Sequence, residues 1–480
     1  MKSTTTVLAL VAGLLAAPAH ARNLPTSAGQ PKVVSLATQR KTISNPVRRD
    51  RIRRRDTSRV DLDNEETLYF VNATLGTPAQ SVRLHLDTGS SDLWVNTGDS
   101  TLCSQASKPC SFAGTYTANS SSTYEYVGSW FNISYVDGSG ATGDYVTDTI
   151  TIGNSTLDGF QFGVGYTSTS EQGILGIGYS TNEVQVGRAG LDAYENLPMK
   201  MVSSGEIARN AYSLWLNDLD ANTGSILFGG VDTAQYTGSL QTLPIQSNDG
   251  VFSEFLITLT SLSLANTTIA DDQALAVLLD SGSSLTYLPD SMVEGIYDEV
   301  DAQYDSSEGA AYVPCSLASQ TPTLDFNFSG VKISVEMNEL VLDLVTAGGQ
   351  RPTFSNGVTA CLFGISPAGS GTNVLGDTFL RSAYVVFDLD NNEISLAQTN
   401  FNATKTDVQA IPSGTGIPDA TAVSNAVAAT EGVVTGSGNG NAAVGDSTAA
   451  SSAAVTDVLP VPALLSVLLA SGIAALIVIV

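Results

Sequence analysis

One hexapeptide occurs twice in this chain with a single Thr/Ser exchange: Leu86-Asp87-Thr88-Gly89-Ser90-Ser91 returns 193 residues later as Leu279-Asp280-Ser281-Gly282-Ser283-Ser284. Each copy is followed by a second element of two apolar residues and a glycine, Ile174-Leu175-Gly176 and Val374-Leu375-Gly376, so the order of parts is duplicated too. A repeat of so long a period implies two homologous lobes. From Glu66 to Asn400, turn residues punctuate short alternating runs such as Ser81-Val-Arg-Leu-His-Leu and Ala383-Tyr-Val-Val-Phe-Asp-Leu. These read as strands, and helical periodicity is confined to short pieces, the best running from Ser291 to Val300. The expected fold is therefore all-β and bilobal, with an N-lobe over about 66–240, a C-lobe over about 241–400 and a cleft between them.

An Asp at the end of an apolar strand, followed by Thr/Ser-Gly-Ser, is a carboxylate in a tight turn with hydroxyls and N–H groups close by. One such turn is ordinary hairpin chemistry. Two equivalent turns in two lobes bring Asp87 and Asp280 together if the lobes face each other about a pseudo-twofold axis. Two carboxylates a few ångströms apart do not both ionise cheaply, so they share a proton. The ionised member can take a proton from a water held between them while the protonated one donates to a carbonyl oxygen.

Composition narrows the alternatives. The 480 residues carry 21 basic and 47 acidic side chains, and eleven of the basic ones precede Asp56, which leaves ten against 46 in the remainder. So acidic a body repels phosphate backbones, which argues against a nucleic-acid partner and for a cationic substrate or an acidic medium. The only histidines are His20 and His85, too few for a multi-imidazole zinc site. His85 shares a strand face with Asp87 and is assigned packing, with no catalytic role. No metal and no cofactor are implied, since a carboxylate pair needs only water.

The ends read as processing signals. Residues 1–21 combine Lys2, an apolar run and Ala19-His20-Ala21, the pattern of a secretory signal peptide. Residues 22–55 form a basic propeptide ending in Arg48-Arg49 and Arg53-Arg54-Arg55, placed to lie across an acidic cleft until removed. Secretion makes disulfides the expected fate of the four cysteines, and Cys103–Cys110 with Cys315–Cys361 is the simplest of three connectivities. Seven N-x-S/T acceptors, Asn72, Asn119, Asn132, Asn154, Asn266, Asn327 and Asn402, fit the same route. Residues 401–457 are read as a linker rich in small residues, from which no packed core is expected over 406–457. The uncharged stretch 458–480 has no basic residue behind it, as in a GPI-attachment signal, with Asn441, Gly445 and Asp446 among the candidate attachment residues. A tail-anchored helix is the alternative.

With these residues in place, the body is identified as a member of the pepsin-like aspartic endopeptidases. Phe70-x-x-x-x-Leu75-Gly76-Thr77-Pro78-x-Gln80, Asp87-Thr-Gly-Ser-Ser-Asp-Leu-Trp94-Val, Ile133-Ser-Tyr135-x-Asp137-Gly138-Ser139, Gly173-Ile-Leu-Gly-Ile-Gly178, Asp280-Ser-Gly-Ser-Ser and Val374-Leu-Gly-Asp377-x-Phe379-Leu-Arg381 follow the family's order. The resemblance implies a catalytic pair, Asp87 and Asp280. It makes Thr88 and Ser281 the hydroxyls that brace the two loops, and Ser90 and Ser283 those that bond the outer carboxylate oxygens, with Gly89 and Gly282 completing the turns. Tyr135 matches the tyrosine of a flap that closes over bound peptide, and Trp94 its hydrogen-bonding neighbour. Val136 stands where glycine is commoner. Asp137 occupies a position where an acid in several fungal members favours Lys or Arg before the cut, and with the anchor signal this resembles the yapsin-type branch. The plainer reading of Asp137 is a turn aspartate.

The expected protein is thus a monomeric cell-surface aspartic endopeptidase that acts on proteins and peptides at acidic pH, attached to the membrane through a lipid. Broad hydrophobic specificity and a non-catalytic cell-wall protein are the alternatives. A glycosidase would also pair carboxylates, but it has no need of two duplicated turns, and no aromatic sugar platform surrounds either Asp.

Overall fold

The computed structural model describes residues 32–43, 66–135, 138–221, 223–344, 350–414 and 416–433. The first half supplies β1 (Val34–Ile43), β2 (Glu66–Leu75), β3 (Gln80–Asp87), β4 (Leu93–Asn96), β5 (Glu125–Ser134), β6 (Gly140–Ile152), β7 (Ser155–Ser168), β8 (Gly173–Gly176), β9 (Ala211–Trp215), β10 (Thr223–Phe228), β11 (Gly230–Asp232) and β12 (Tyr236–Pro244). Alternation shows plainly in the second half, where Thr323–Phe328 and Val331–Glu336 bury every other residue and pair as a hairpin. The expected helix forms as Asp290–Val300, buries Met292, Val293, Ile296 and Tyr297 along one stripe, and stops where Asp301 turns left-handed at φ 53°.

A 14-stranded sheet joins the two halves among the described residues. Its N-lobe arm runs from β1 through β2, β3, β8, β4, β7 and β6 to β5, and its other arm runs from β10 and β9 to Ala383–Asp388 and Glu393–Thr399. The register Leu214↔Val385 and Tyr212↔Phe387 sews the halves together. Stacked on that seam, the Tyr212 and Phe387 rings lie 4.9 Å apart and Phe255 meets Phe387 edge-on at 4.7 Å. A buried ion pair, Arg209 to Asp388 at 2.7 Å, crosses the same seam. The C-lobe contributes a five-stranded sheet that begins with β13 (Leu256–Leu259) and Leu275–Leu279, and two four-stranded sheets.

Two expectations are corrected here. Residues 34–43, read as part of an arm across the cleft, are a strand held between β10 and β2. Val34, Leu36 and Thr38 point inward, and this alternation went unread beside the more conspicuous basic cluster. The packed structure likewise does not end at 400. Val408–Ala410 pairs with β11, Ala420–Ala422 runs parallel to β12, and Ile411 and Ile417 are buried against Tyr236 and Tyr384. Two isoleucines placed in an otherwise small-residue stretch suffice to fold it onto an existing sheet edge, which a compositional reading averages away. The signal segment, residues 44–65 and everything from 434 onward, including Asn441, Gly445 and Asp446, lie outside the described residues. Among the described residues no helix is long and apolar enough to cross a membrane.

Candidate active site

The two aspartates stand at the C-terminal ends of equivalent strands. Asp87 ends β3 and pairs in parallel with Gly176 of β8, and in the C-lobe Leu279 pairs in parallel with Leu375. Gly176 and Gly376 allow this crossing. A methyl on Gly176 would lie 2.6 Å from the Ser91 and Asp92 nitrogens, and one on Gly376 would strike the Ser283 and Leu285 carbonyls. The duplicated apolar-apolar-glycine element is therefore the strand that supports each aspartate turn.

Within each turn the hydrogen bonds repeat. Gly89 N–H donates to Asp87 Oδ1 at 2.9 Å and Ser90 Oγ to Asp87 Oδ2 at 2.6 Å. Gly282 N–H donates to Asp280 Oδ1 at 2.8 Å and Ser283 Oγ to Asp280 Oδ2 at 2.6 Å. The turns are tied to each other by a mirrored set. Thr88 Oγ1 donates to Leu279 O at 2.9 Å and accepts from Ser281 N–H at 2.9 Å. Ser281 Oγ donates to Leu86 O at 3.0 Å and accepts from Thr88 N–H at 3.2 Å. All four members are buried, so the frame is held in a low-dielectric setting.

The frame aims the carboxylates at one another. A methyl built on Gly89 would lie 2.6 Å from Asp280 Oδ1, and one built on Gly282 would have both inner oxygens, Asp87 Oδ1 and Asp280 Oδ1, within 2.9 Å. The two carboxylates are thus a few ångströms apart, with 3% and 7% of the Asp87 and Asp280 surfaces exposed. Like charges so close share a proton, and a carboxylate beside a carboxylic acid can deprotonate water and protonate a carbonyl in one site.

This geometry decides among the families that pair carboxylates. The chain matches the eukaryotic aspartyl protease family model over residues 68–399. It belongs to that family. Among its relatives are "Probable aspartic-type endopeptidase opsB" of Aspergillus oryzae, 59% identical over 84% of this chain and 82% of that one, and the protein of the same name in Aspergillus fumigatus, 55% identical over 89% and 88%. "Secreted aspartic protease 1" of Candida albicans is 41% identical over 72% of this chain and 84% of that one. The chain is an aspartic-type endopeptidase, and its substrates are peptide bonds in proteins and peptides.

The hairpin in which the flap tyrosine is expected is built from β5 and β6, which pair antiparallel. Tyr135 N–H donates to Ser139 O at 2.8 Å, and Gly138, at φ 69°, donates to Tyr135 O at 3.0 Å. Trp94 Nε1 donates to Tyr135 Oη at 2.7 Å, and burial together with the nearby Asp87 charge pushes the Tyr135 phenol well above its usual range. Val136 and Asp137 lie outside the described residues. His85 is fully buried with its ring 5.8 Å from Phe70. Both disulfides form as the simplest connectivity has them, Cys103–Cys110 and Cys315–Cys361. Six of the seven acceptor asparagines are exposed. Asn327 is half-buried, its Oδ1 taking Gly330 N–H at 2.8 Å and Thr260 Oγ1 at 3.2 Å.

Sequence reasoning missed two groups beside the dyad. Asp92 accepts from Tyr145 Oη at 2.5 Å, Val184 N–H at 2.9 Å and Tyr194 Oη at 3.0 Å, while burial pushes its carboxyl up. Next to it Glu183 is fully buried, accepts from Tyr194 N–H at 2.8 Å, and is pushed up to about 9 by burial. The second group is Glu254. The β13 register Leu256↔Leu278, continued two positions through the 3.1 Å bond from Leu279 N–H to Phe255 O, sets Glu254 across from Asp280. Burial and the Asp280 charge push the Glu254 carboxyl up. Asp92 carried a signal, being embedded in the first motif. Glu254 carried none, since only strand pairing reveals its neighbour.

Proposed function

We propose that Asp87 and Asp280 are the catalytic pair of a secreted cell-surface endopeptidase that works at acidic pH and prefers Lys or Arg before the cut. The reading rests on the mirrored frame of Thr88, Ser281, Ser90 and Ser283, which sets both inner carboxylate oxygens around one point. One aspartate takes a proton from the attacking water, the other donates to the scissile carbonyl, and no covalent intermediate forms. Tyr135 on the flap shields the bound peptide from bulk water. The basic preference is supported by the acidic balance of the body, by Asp137 two residues beyond Tyr135, and by the half-buried Glu254 beside Asp280.

Secretion is supported by the leader pattern in residues 1–21, the two disulfides and the name of the Candida relative. Lipid attachment near Asn441, Gly445 or Asp446 is supported by the apolar end 458–480. The two lobes supply both aspartates within one chain, so a monomer suffices.

Cleavage-site mapping on a mixed peptide library near about pH 5, where a dyad keeps one proton, tests the reading with wild type, Asp280→Asn and Asp137→Asn in parallel. Cuts after Lys or Arg that vanish in Asp280→Asn and lose their basic preference in Asp137→Asn are the expected result. Cuts after large apolar residues would replace the basic preference with broad specificity. A processed protein that makes no cuts would favour a wall protein. Release from cells by a phosphatidylinositol-specific phospholipase checks the anchor.

A further inference from the structure

Two of the seven N-x-S/T asparagines follow an aromatic residue by two positions: Asn72 after Phe70 and Asn132 after Trp130. Residues two apart on a strand share a face, which makes each ring a neighbour of its asparagine. The structure separates the two pairs. Phe70 is 1% exposed, set against the His85 and Phe112 rings, and offers no surface to a second group. Trp130 is 36% exposed. Its six-membered ring occupies the space over Gly128, where an added methyl would lie 1.7 Å from it, and the Tyr145 ring is 6.4 Å away. Glycine at 128 therefore lets the indole lie back along β5, with solvent on its outer side.

Asn132 is presented for modification on that same side. Trp130 and Asn132 are exposed while Phe131 and Ile133 are buried, so both side chains point outward from β5. Arg188 Nη1 donates to Asn132 O at 2.6 Å and to Asn132 Oδ1 at 3.2 Å. A glycan is attached through the amide nitrogen and leaves that oxygen an acceptor, so Arg188 can hold the side-chain carbonyl while Nδ2 carries the sugar. β5 is the terminal strand of the 14-stranded sheet, a place where cover is useful. A sugar ring has a face of C–H bonds, and their polarised hydrogens are drawn to the negative face of an aromatic ring as the edge of a second ring is. Attachment two residues away keeps the sugar at high effective concentration over the indole, so a weak contact suffices to hold it there.

We propose that Asn132 is a glycosylation site whose core N-acetylglucosamine packs on the Trp130 indole, so that this glycan is a bound part of the fold and covers the outer face of β5. The sugar comes from a lipid-linked diphosphate donor: its C1–O bond breaks, a C1–Nδ2 bond forms, and the amide proton leaves with the lipid diphosphate. The proposal rests on the secretory route, and the experiment reads the two apart. Glycopeptide mass spectrometry of the full chain from a yeast secretory host gives the occupancy of all seven acceptors and should find Asn132 filled. Hydrogen exchange of the β5 amides is then compared among wild type, Ser134→Ala, Trp130→Ala and the double variant. Ser134→Ala removes the acceptor signal but leaves Asn132 and its Arg188 contact in place. It should speed β5 exchange by about three- to tenfold, the scale of one ring-face contact. Trp130→Ala should cost more in the glycosylated protein than in the Ser134→Ala background. A bare Asn132 beside filled acceptors elsewhere would overturn the proposal alone, and seven bare acceptors would take the secretory reading down with it. A filled Asn132 with additive effects of the two substitutions would mean that the sugar does not touch the ring, which also overturns the proposal.

Discussion

The two aspartate turns match bond for bond, but their surroundings do not. Five residues after Asp87 stands Asp92, a carboxyl buried under two tyrosines, while five residues after Asp280 stands Leu285, buried among hydrocarbons. Across the strand the asymmetry is reversed. The β2 register Phe70↔His85 continues to Leu68 opposite Asp87, whereas Glu254 faces Asp280. The N-lobe therefore adds Asp92 and its neighbour Glu183 behind its turn, and the C-lobe adds Glu254 beside its own. Duplication preserved what the dyad requires and left the supports free to diverge.

The severest test of the shared part is to remove either carboxylate. Asp87→Asn and Asp280→Asn should each lower kcat/KM by about 10⁴-fold or more while leaving the fold intact, since the amide keeps the size and most of the hydrogen bonds. Steady-state kinetics on one peptide checks this, with circular dichroism as the control. Losses differing by several orders of magnitude would break the symmetry at its centre.

Next comes the frame. Thr88→Ala strips the partner from Leu279 O and Ser281 N–H, and Ser281→Ala does the same to Leu86 O and Thr88 N–H. Each should cost about 2–4 kcal/mol of stability, because two buried backbone groups are left unsatisfied. Thr88→Ser keeps the hydroxyl and should restore most of it. Urea denaturation of the three variants would expose any inequality between the lobes.

One of the two carboxyls behind the N-lobe turn, Glu183, sets a pH dependence. Glu183 is held near 9 by burial against an ordinary 4.5, so the folded state binds its proton more tightly than the unfolded chain does. That contribution is complete below about pH 4.5 and is lost as pH rises toward 9, so stability falls across this window. Glu183→Gln should flatten the decline, as read from denaturation midpoints at a series of pH values. An unchanged slope would mean that Glu183 is ionised where it lies.

What could be read in the chain beforehand follows the same division. The aspartates, their flanking hydroxyls and the supporting glycines were legible because each is demanded by local backbone geometry and appears twice in order. Both lobes followed from that repeat. β1 and the strands beyond Asn400 were obscured because their few apolar residues, Val34, Leu36, Ile411 and Ile417, acquire meaning only against a sheet edge supplied from far away in sequence. Glu254 is invisible for a related reason: it and Asp280 are neighbours only once β13 pairs with Leu275–Leu279.

Glu254 also yields the finest test of the comparison. Asp87 has a leucine across the strand and Asp280 a carboxyl, so a charge on Glu254 opposes a charge on Asp280 without an equal effect on its partner. The alkaline limb of kcat/KM against pH reports loss of the proton the pair shares. Glu254→Gln removes the opposing charge and makes that loss easier, so the limb should move to lower pH. An uncharged peptide should be used, which keeps any contact between Glu254 and a basic substrate residue out of the measurement. Introducing the missing carboxyl as Leu68→Glu would bury a charge in the core and unfold the lobe, so the informative partner is Leu68→Met, which should leave the limb where it is. A limb that ignores Glu254→Gln would mean the two cross-strand carboxyls are screened from each other, and one that moves upward would mean Glu254 stabilises the ionised pair.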